Sequence, residues 1–324
     1  MIKLMLSYSE IISASLALVL AAPATAMAAP PAAWVSGQGT NEAGCGSQQS
    51  PCATFQYVHD NILGPDGGDI VVLGAGVYGA GTLNITKPLS ILNDSAGTAA
   101  VGAGSGPAIS INVPNGGVYL RGLTIDGLGL GQDGVSLSNA SKLTITNCVI
   151  RNFTHDGIYL QPQGVLNFSA INVIASDNGN NGFDLSPHGS GGIMGFIDHS
   201  SAFNNGADGV AIWGANTSAN PGNAITINSS NTSNNKGYGV YLYSSSNSPF
   251  NTGATIRNTI SDYNGVGYYV GDYTIAYFSK SEADYSFSSH SVQIVGNALA
   301  YSYGDNSFGP SVSVSGALKA VPPQ

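Results

Sequence analysis

The chain has 324 residues, enough for one large domain or two small ones. Only 8% of them are charged, the net charge is −9, and the 9 Lys and Arg are spread thinly, which excludes the basic stripe of a nucleic-acid binder and argues against a site for an anionic polysaccharide. A hydrophobic fraction of 43% with so little charge excludes disorder, and 44 glycines among recurrent Val, Ile and Leu point to many short strands and turns.

Residues 1–28 read as a secretion signal: Lys3 near the start, the apolar run Ile11–Ala22, then small-residue cleavage sites in "PATAMAA". No later run is long or apolar enough to span a membrane, so the mature chain is expected to be soluble and secreted, periplasmic or extracellular. Export permits disulfides, and Cys45 and Cys52, in the polar loop "CGSQQSPC", are expected to bond. Residues 29–82 read as an N-terminal cap. It comprises a strand in "AWVSGQGT", the cysteine loop, and a short helix over Ala53–Leu63 with Phe55, Val58, Ile62 and Leu63 on one face and His59 beside it. "GGDIVVLGAGVYG" then leads into the first coil. The third cysteine, Cys148, lies in the strand pattern "LTITNCVI" and is expected to be a small buried hydrophobe.

From here the chain repeats. "DGVSL", "DGIYL", "NGFDL", "DGVAI", "YGVYL" and "VGYYV" align on Gly134, Gly157, Gly182, Gly209, Gly239 and Gly267, most of them preceded by an Asn-rich segment. A second series aligns Leu120, Ile145, Ala170, Phe196, Ile227 and Ile256 as an apolar column. Beside it, Gly122, Asn147, Asn172, Asp198, Ser229 and Asn258 form a bend column, and His199 then falls with Cys148 and Val173, facing inward. Units of this length without a helical pattern predict an all-β fold, a single-stranded right-handed parallel β-helix of about eight to nine coils over residues 83–316, with a loose tail over 317–324. Equivalent asparagines would bond their amides along the axis, and each Asp-Gly or Asn-Gly reads as a turn in which glycine takes positive φ.

The run "WVSGQGT", "CATFQYVHDNI", "GGDIVVLGAGVYG" and "LRGLTIDGLG" resembles secreted bacterial right-handed parallel β-helix repeat proteins of the pectate-lyase-like (pectin-lyase-like) superfamily, closest to an uncharacterised group with a Cys pair before an amphipathic helix. The resemblance covers nearly the whole mature chain and implies the fold. It does not fix the chemistry, because the superfamily includes pectate lyases, polygalacturonases, alginate epimerases, phage tailspikes and adhesins. "GFDLSPHG" is similar to the Gly-Phe-Asp-Pro-His-Glu motif of alginate epimerases and lyases, with Leu185 and Ser186 inserted, Gly189 in place of Glu and Asn181 in place of Tyr. Only Asp184 and His188 carry over from that motif.

Strand alternation completes the candidate site. If Val135, Ile158, Phe183, Val210, Val240 and Tyr268 face inward, then Ser136, Tyr159, Asp184, Ala211, Tyr241 and Tyr269 face outward, with Ser138, Gln161, Ser186, Trp213, Tyr243 and Gly271 two positions on. Tyr159, Gln161, Asp184, Trp213, Tyr241, Tyr243 and Tyr269 are therefore the expected substrate-binding residues: rings to stack on sugars, Asp and Gln to bond hydroxyls. Strand propensity alone would also place Tyr and Trp there. Asp184, His188 and Asp208 are the catalytic candidates, with Asp156 beside them read as a turn residue and His155 as a solvated residue at the rim. No metal or cofactor is expected, since no acidic run suits calcium and the cysteines lack zinc spacing. The expected partner is a polysaccharide or cell-surface glycan, bound with or without processing. The alternatives are a polysaccharide lyase, hydrolase or epimerase using Asp184 and His188, and a non-catalytic surface, matrix or adhesive rod.

Overall fold

The structure is a computed structural model that describes residues 32–94, 96–214, 222–245, 252–288, 290–309 and 314–321. The segment expected to be a secretion signal lies outside the described residues. Among them are 27 strands and one helix, stacked as a solenoid of about nine turns. Every strand pairing is parallel, and each coil contributes a rung to up to three faces. The first face runs from Ala32–Val35 through Val165–Ile171 and Asn223–Asn228 to Leu318–Ala320. The second runs from Leu83–Ile85 through Ile158–Leu160, Phe183–Leu185, Val210–Trp213, Tyr238–Tyr243 and Val266–Val270 to Val292–Ile294. The third is made of short strands such as Val149–Arg151, Ile174–Ser176 and Ser201–Phe203. Two long strands, Ile109–Arg121 and Val135–Thr146, pass from the second face to the first.

The core is the set of inward columns. Val135, Ile158, Phe183, Val210, Val240, Tyr268 and Val292 stack in register on the second face, each at most 1% exposed. Burying each such side chain contributes roughly 1.5–3 kcal/mol. Tyr268 can join because its hydroxyl donates within reach of two backbone carbonyls, those of Thr259 and Glu282. Cys148 is buried, which pushes its thiol up to about 11.

A second interior column is polar. Asn178, Asn205, Asn235 and Asn264 are each at most 3% exposed, and each Nδ2 donates to the next Oδ1 at 3.0, 2.9 and 3.1 Å in turn. This ladder explains the repeat glycines, which do not take positive φ. A Cβ on Gly157 would stand 2.8 Å from Asn178 Nδ2 and 2.7 Å from Gly182 O; one on Gly182 would meet Asn205 Nδ2 at 3.0 Å. Glycine is required there by crowding rather than by backbone handedness. The left-handed positions are the bends, Asn147, Asn172, His199, Ser229 and Asn258.

That bend column corrects the expected register. Ala170 pairs with Ile197, not Phe196, and Ile197 with Ile227. Phe196 faces outward and is 37% exposed, Asp198 precedes the bend, and His199 occupies it at φ 47 with its ring in solvent and Nδ1 2.9 Å from Asp198 Oδ2.

A disulfide loop and the helix stand at the N-terminal end of the described residues. Cys45 and Cys52 are disulfide-bonded, and Thr54 caps the helix Phe55–Asn61 by accepting the Tyr57 N–H. The helix buries Phe55, Val58 and His59, while Ile62 is 36% exposed. His59 Nε2 accepts the Thr86 N–H, which leaves Nδ1 to donate to Asp60, and Lys87 donates to the carbonyls of His59 and Leu63 at the helix end. At the other end, the expected loose tail contains a strand: Leu318–Ala320 pairs with Ala300–Ser302.

Candidate functional site

The outward positions of the second face form one vertical row. Ser136, Tyr159, Asp184, Ala211, Tyr241, Tyr269 and Gln293 are successive register partners. Trp213 pairs with Tyr243 two positions along. Among these, Ala211 is fully buried, so a methyl group separates the carboxyl of Asp184 from the rings that follow.

The rings are packed together. Tyr241 stacks on Tyr269 with centroids 4.9 Å apart and planes at 13°, and Trp213 leans on Tyr241 at 4.8 Å and on Tyr243 at 6.1 Å. Tyr238 completes the group, 5.1 Å from Tyr241 and 4.9 Å from Tyr269. Each ring therefore uses part of its surface on its neighbours, and all five are half-buried rather than fully presented. Burial pushes the Tyr241, Tyr238 and Tyr269 hydroxyls upward, each reinforced by nearby tyrosines or a carboxylate.

Beside the rings stands a row of acids. At the position before each repeat glycine, Asp133 Oδ1 accepts the Asp156 N–H at 3.2 Å and Asp156 Oδ1 accepts the Asn181 N–H at 2.9 Å. Asn181 Oδ1 then accepts the Asp208 N–H at 3.0 Å, and Asp208 Oδ1 the Tyr238 N–H at 2.8 Å. Asp184 adjoins this ladder: it accepts from Asn181 Nδ2 at 3.1 Å and from the Ser186 hydroxyl. Burial raises Asp156 to about 7, helped by the charges of Asp184 and Asp133. Burial likewise lifts Asp184 and Asp208 to about 6, although hydrogen bonds from Ser186 and Asn181 to Asp184, and from the Tyr238 N–H to Asp208, pull the other way. The Tyr159 hydroxyl is pushed up to about 12 by burial and by the charges of Asp184, Asp156 and Asp133.

Asp184, Asp208 and Tyr159 are thus brought together, with Asp156 and Asp133 as additional members. Asp156 is more than a turn residue: it is 6% exposed and electrostatically coupled to Asp184. His188 follows on the loop after Phe183–Leu185; its N–H donates to Pro162 O, its side chain is exposed, and among the described residues no ion pair joins it to Asp184. Gln161 is half-buried on the same face, and His155 is an exposed rim residue whose Nδ1 faces the Gln132 amide at 3.3 Å. Sequence reasoning missed Tyr238. The signal is in the repeat alignment, where Tyr238 occupies the position filled by Asp133, Asp156, Asn181 and Asp208 in earlier coils. Among the described residues, no three His, Cys, Asp or Glu side chains are gathered so as to hold a metal ion. A groove of about 630 Å³, lined by Asp69, Ser90, Tyr119 and Lys142, lies on the first face, away from these groups.

Residues 74–256 match the family described as "Right handed beta helix region", and the chain belongs to that family. Three solved structures are similar to this chain. Pectate lyase Pel9A is 15% identical with a TM-score of 0.50, over 91% of this chain and 80% of that one. The A-module of the Azotobacter vinelandii mannuronan C-5 epimerase AlgE4 is 18% identical with a TM-score of 0.47, over 77% of this chain and 91% of that one. The AlgE6 A-module from the same organism is 16% identical with a TM-score of 0.44, over 80% and 92%. At 15% identity the likeness to the pectate lyase is one of fold. No curated protein matches the sequence significantly.

Proposed function

We propose that this chain is an exported solenoid that holds a polysaccharide along its second face. The observation that carries this reading is the contiguity of a rigid stack of rings, Trp213, Tyr238, Tyr241, Tyr243 and Tyr269, with the half-buried polar groups Asp184, Tyr159 and Gln161 on one open sheet face. Rings fixed by parallel strands can receive the apolar faces of sugars without losing side-chain entropy, and the carboxyls and amide can bond hydroxyls. The fold is one that a pectate lyase also uses. The disulfide in the cap fits an oxidising compartment, and no helix of the described residues is long and apolar enough to cross a membrane. In glycan-affinity electrophoresis, Trp213→Ala and Tyr241→Ala are expected to lose at least ten-fold in retention; unchanged retention of both variants sinks the reading.

The raised carboxyls favour a second reading, in which the face also processes the chain it holds. Asp184 at about 6 and Asp156 at about 7 are poised to exchange protons near neutral pH, as acid/base groups must. Here Asp184 acts with Asp156 or Asp208, and the exposed His188 at the rim takes a positioning role at most. Incubation with a polysaccharide panel would release ultraviolet-absorbing unsaturated ends from a lyase or new reducing ends from a hydrolase. Asp184→Asn is expected to abolish either product and His188→Ala to leave most of it.

A further inference from the structure

The acids of the second face do a structural task that does not need their charge. Asp133, Asp156 and Asp208 each cap the N–H of the next coil, and Asn181 does the same between them with a neutral amide. An amide at every rung would therefore hold the stack, and it would avoid placing several carboxyls, two of them 6% exposed, within electrostatic reach of Asp184. The stack does not require the charge at these rungs, and beside the rings that charge is available to a ligand.

The surroundings say which ligand. Between Arg151 and Lys236 the sequence has no lysine or arginine, and this span holds three of the face's central strands and the loops between them. A basic side chain that does act on this row is His155, whose charge opposes the rise of Asp133. The adjoining rings present π-faces, which also attract cations. Carboxyls and π-faces repel a uronate and favour an ammonium, and no lysine or arginine of this span offsets them.

We infer that the glycan held by the second face carries amino groups, and that Asp184 and Asp208, with the buried carboxyl of Asp156 behind them, receive its ammonium groups beside the Trp213–Tyr241–Tyr269 stack. This rests on the glycan-binding reading above and specifies its substrate class.

The test is titration calorimetry of the full mature chain at pH 6 with three probes: a glucosamine hexamer, its N-acetylated counterpart and a galacturonate hexamer. The glucosamine hexamer is expected to bind at least ten-fold more tightly than the acetylated one, and galacturonate most weakly. Binding should release protons, read from the dependence of the heat on buffer ionisation, as the ammonium groups draw the carboxyls into their charged form. Asp156→Asn combined with Asp208→Asn, which copies the Asn181 solution and should fold, is expected to weaken glucosamine binding at least ten-fold. Asp66→Asn combined with Asp69→Asn, an equal charge change at the first-face groove, should leave it unaltered. Equal affinity for the two glucosamine-series probes, or tighter galacturonate, overturns the amino-sugar assignment while the glycan-binding reading stands. If none of the three probes binds, and no other glycan does, both fall.

Discussion

Two ladders climb the middle coils side by side. The Asn178–Asn205–Asn235–Asn264 ladder is neutral and self-complementary: each amide donates to the next and accepts from the backbone beside it. The Asp133–Asp156–Asn181–Asp208 ladder caps the following coil equally well, but an ionised carboxylate only accepts, so neighbouring acids have nothing to offer one another. The first ladder sits in the interior and is fully paired; the second borders a face of rings and carries raised carboxyls. Amides alone satisfy the stacking of the first ladder, and the second adds charge beside the rings.

Breaking the neutral ladder should have the largest effect. Asn235→Leu removes the donor to Asn264, Ala202 and Thr232 and the acceptor for the Asn205 N–H. The loss is expected to be on the order of 3–5 kcal/mol, read as a fall in the denaturant midpoint. Making the acidic ladder fully acidic should be next. Asn181→Asp removes the bond to Asp184 and adds a fourth carboxyl to the rung series, and about 2 kcal/mol should be lost at pH 8, much less at pH 4. The smallest effect is a gain. Asp156 is about 7 when folded against an ordinary value of 3.8, so the folded state binds its proton more tightly than the unfolded chain does. Its contribution is fully present below the unfolded value and is lost as pH rises through about 7. Asp156→Asn should remove that loss, raising stability at pH 8 by about 1 kcal/mol and flattening the thermal midpoint between pH 4 and 7. A midpoint that falls for Asp156→Asn at pH 8 would mean the carboxylate is needed by the stack after all.

Much of this was legible because strand alternation is strict. The inward Val135–Ile158–Phe183–Val210–Val240–Tyr268 column and its outward neighbours follow from counting by two from the repeat glycines. The register failed at Phe196 because the coil places Gly195 opposite Phe168, and a glycine in a slot otherwise held by apolar residues offers the eye nothing to align. The reason for the repeat glycines was hidden too, since the atoms that crowd Gly157 and Gly182 belong to the following coil and the buried amides. Of the site, Tyr159, Asp184, Trp213 and Tyr241 could be read from spacing. The electrostatic coupling of Asp156 to Asp184 could not, because it depends on burial that no single coil reveals.

The register between coils also limits how this surface can change. Acids and rings sit on successive rungs, and the separations between hydrogen-bonded equivalents are whole coils of 23, 25, 27 and 30 residues. Inserting or deleting one residue within a strand would turn its side chains over and spoil the core. Duplicating or excising one entire coil would instead move the carboxyls relative to the rings by a single strand spacing, about 4.8 Å, and leave every other contact repeating as before. Selectivity on such a surface is adjustable only in discrete steps, with the coil as the smallest heritable increment.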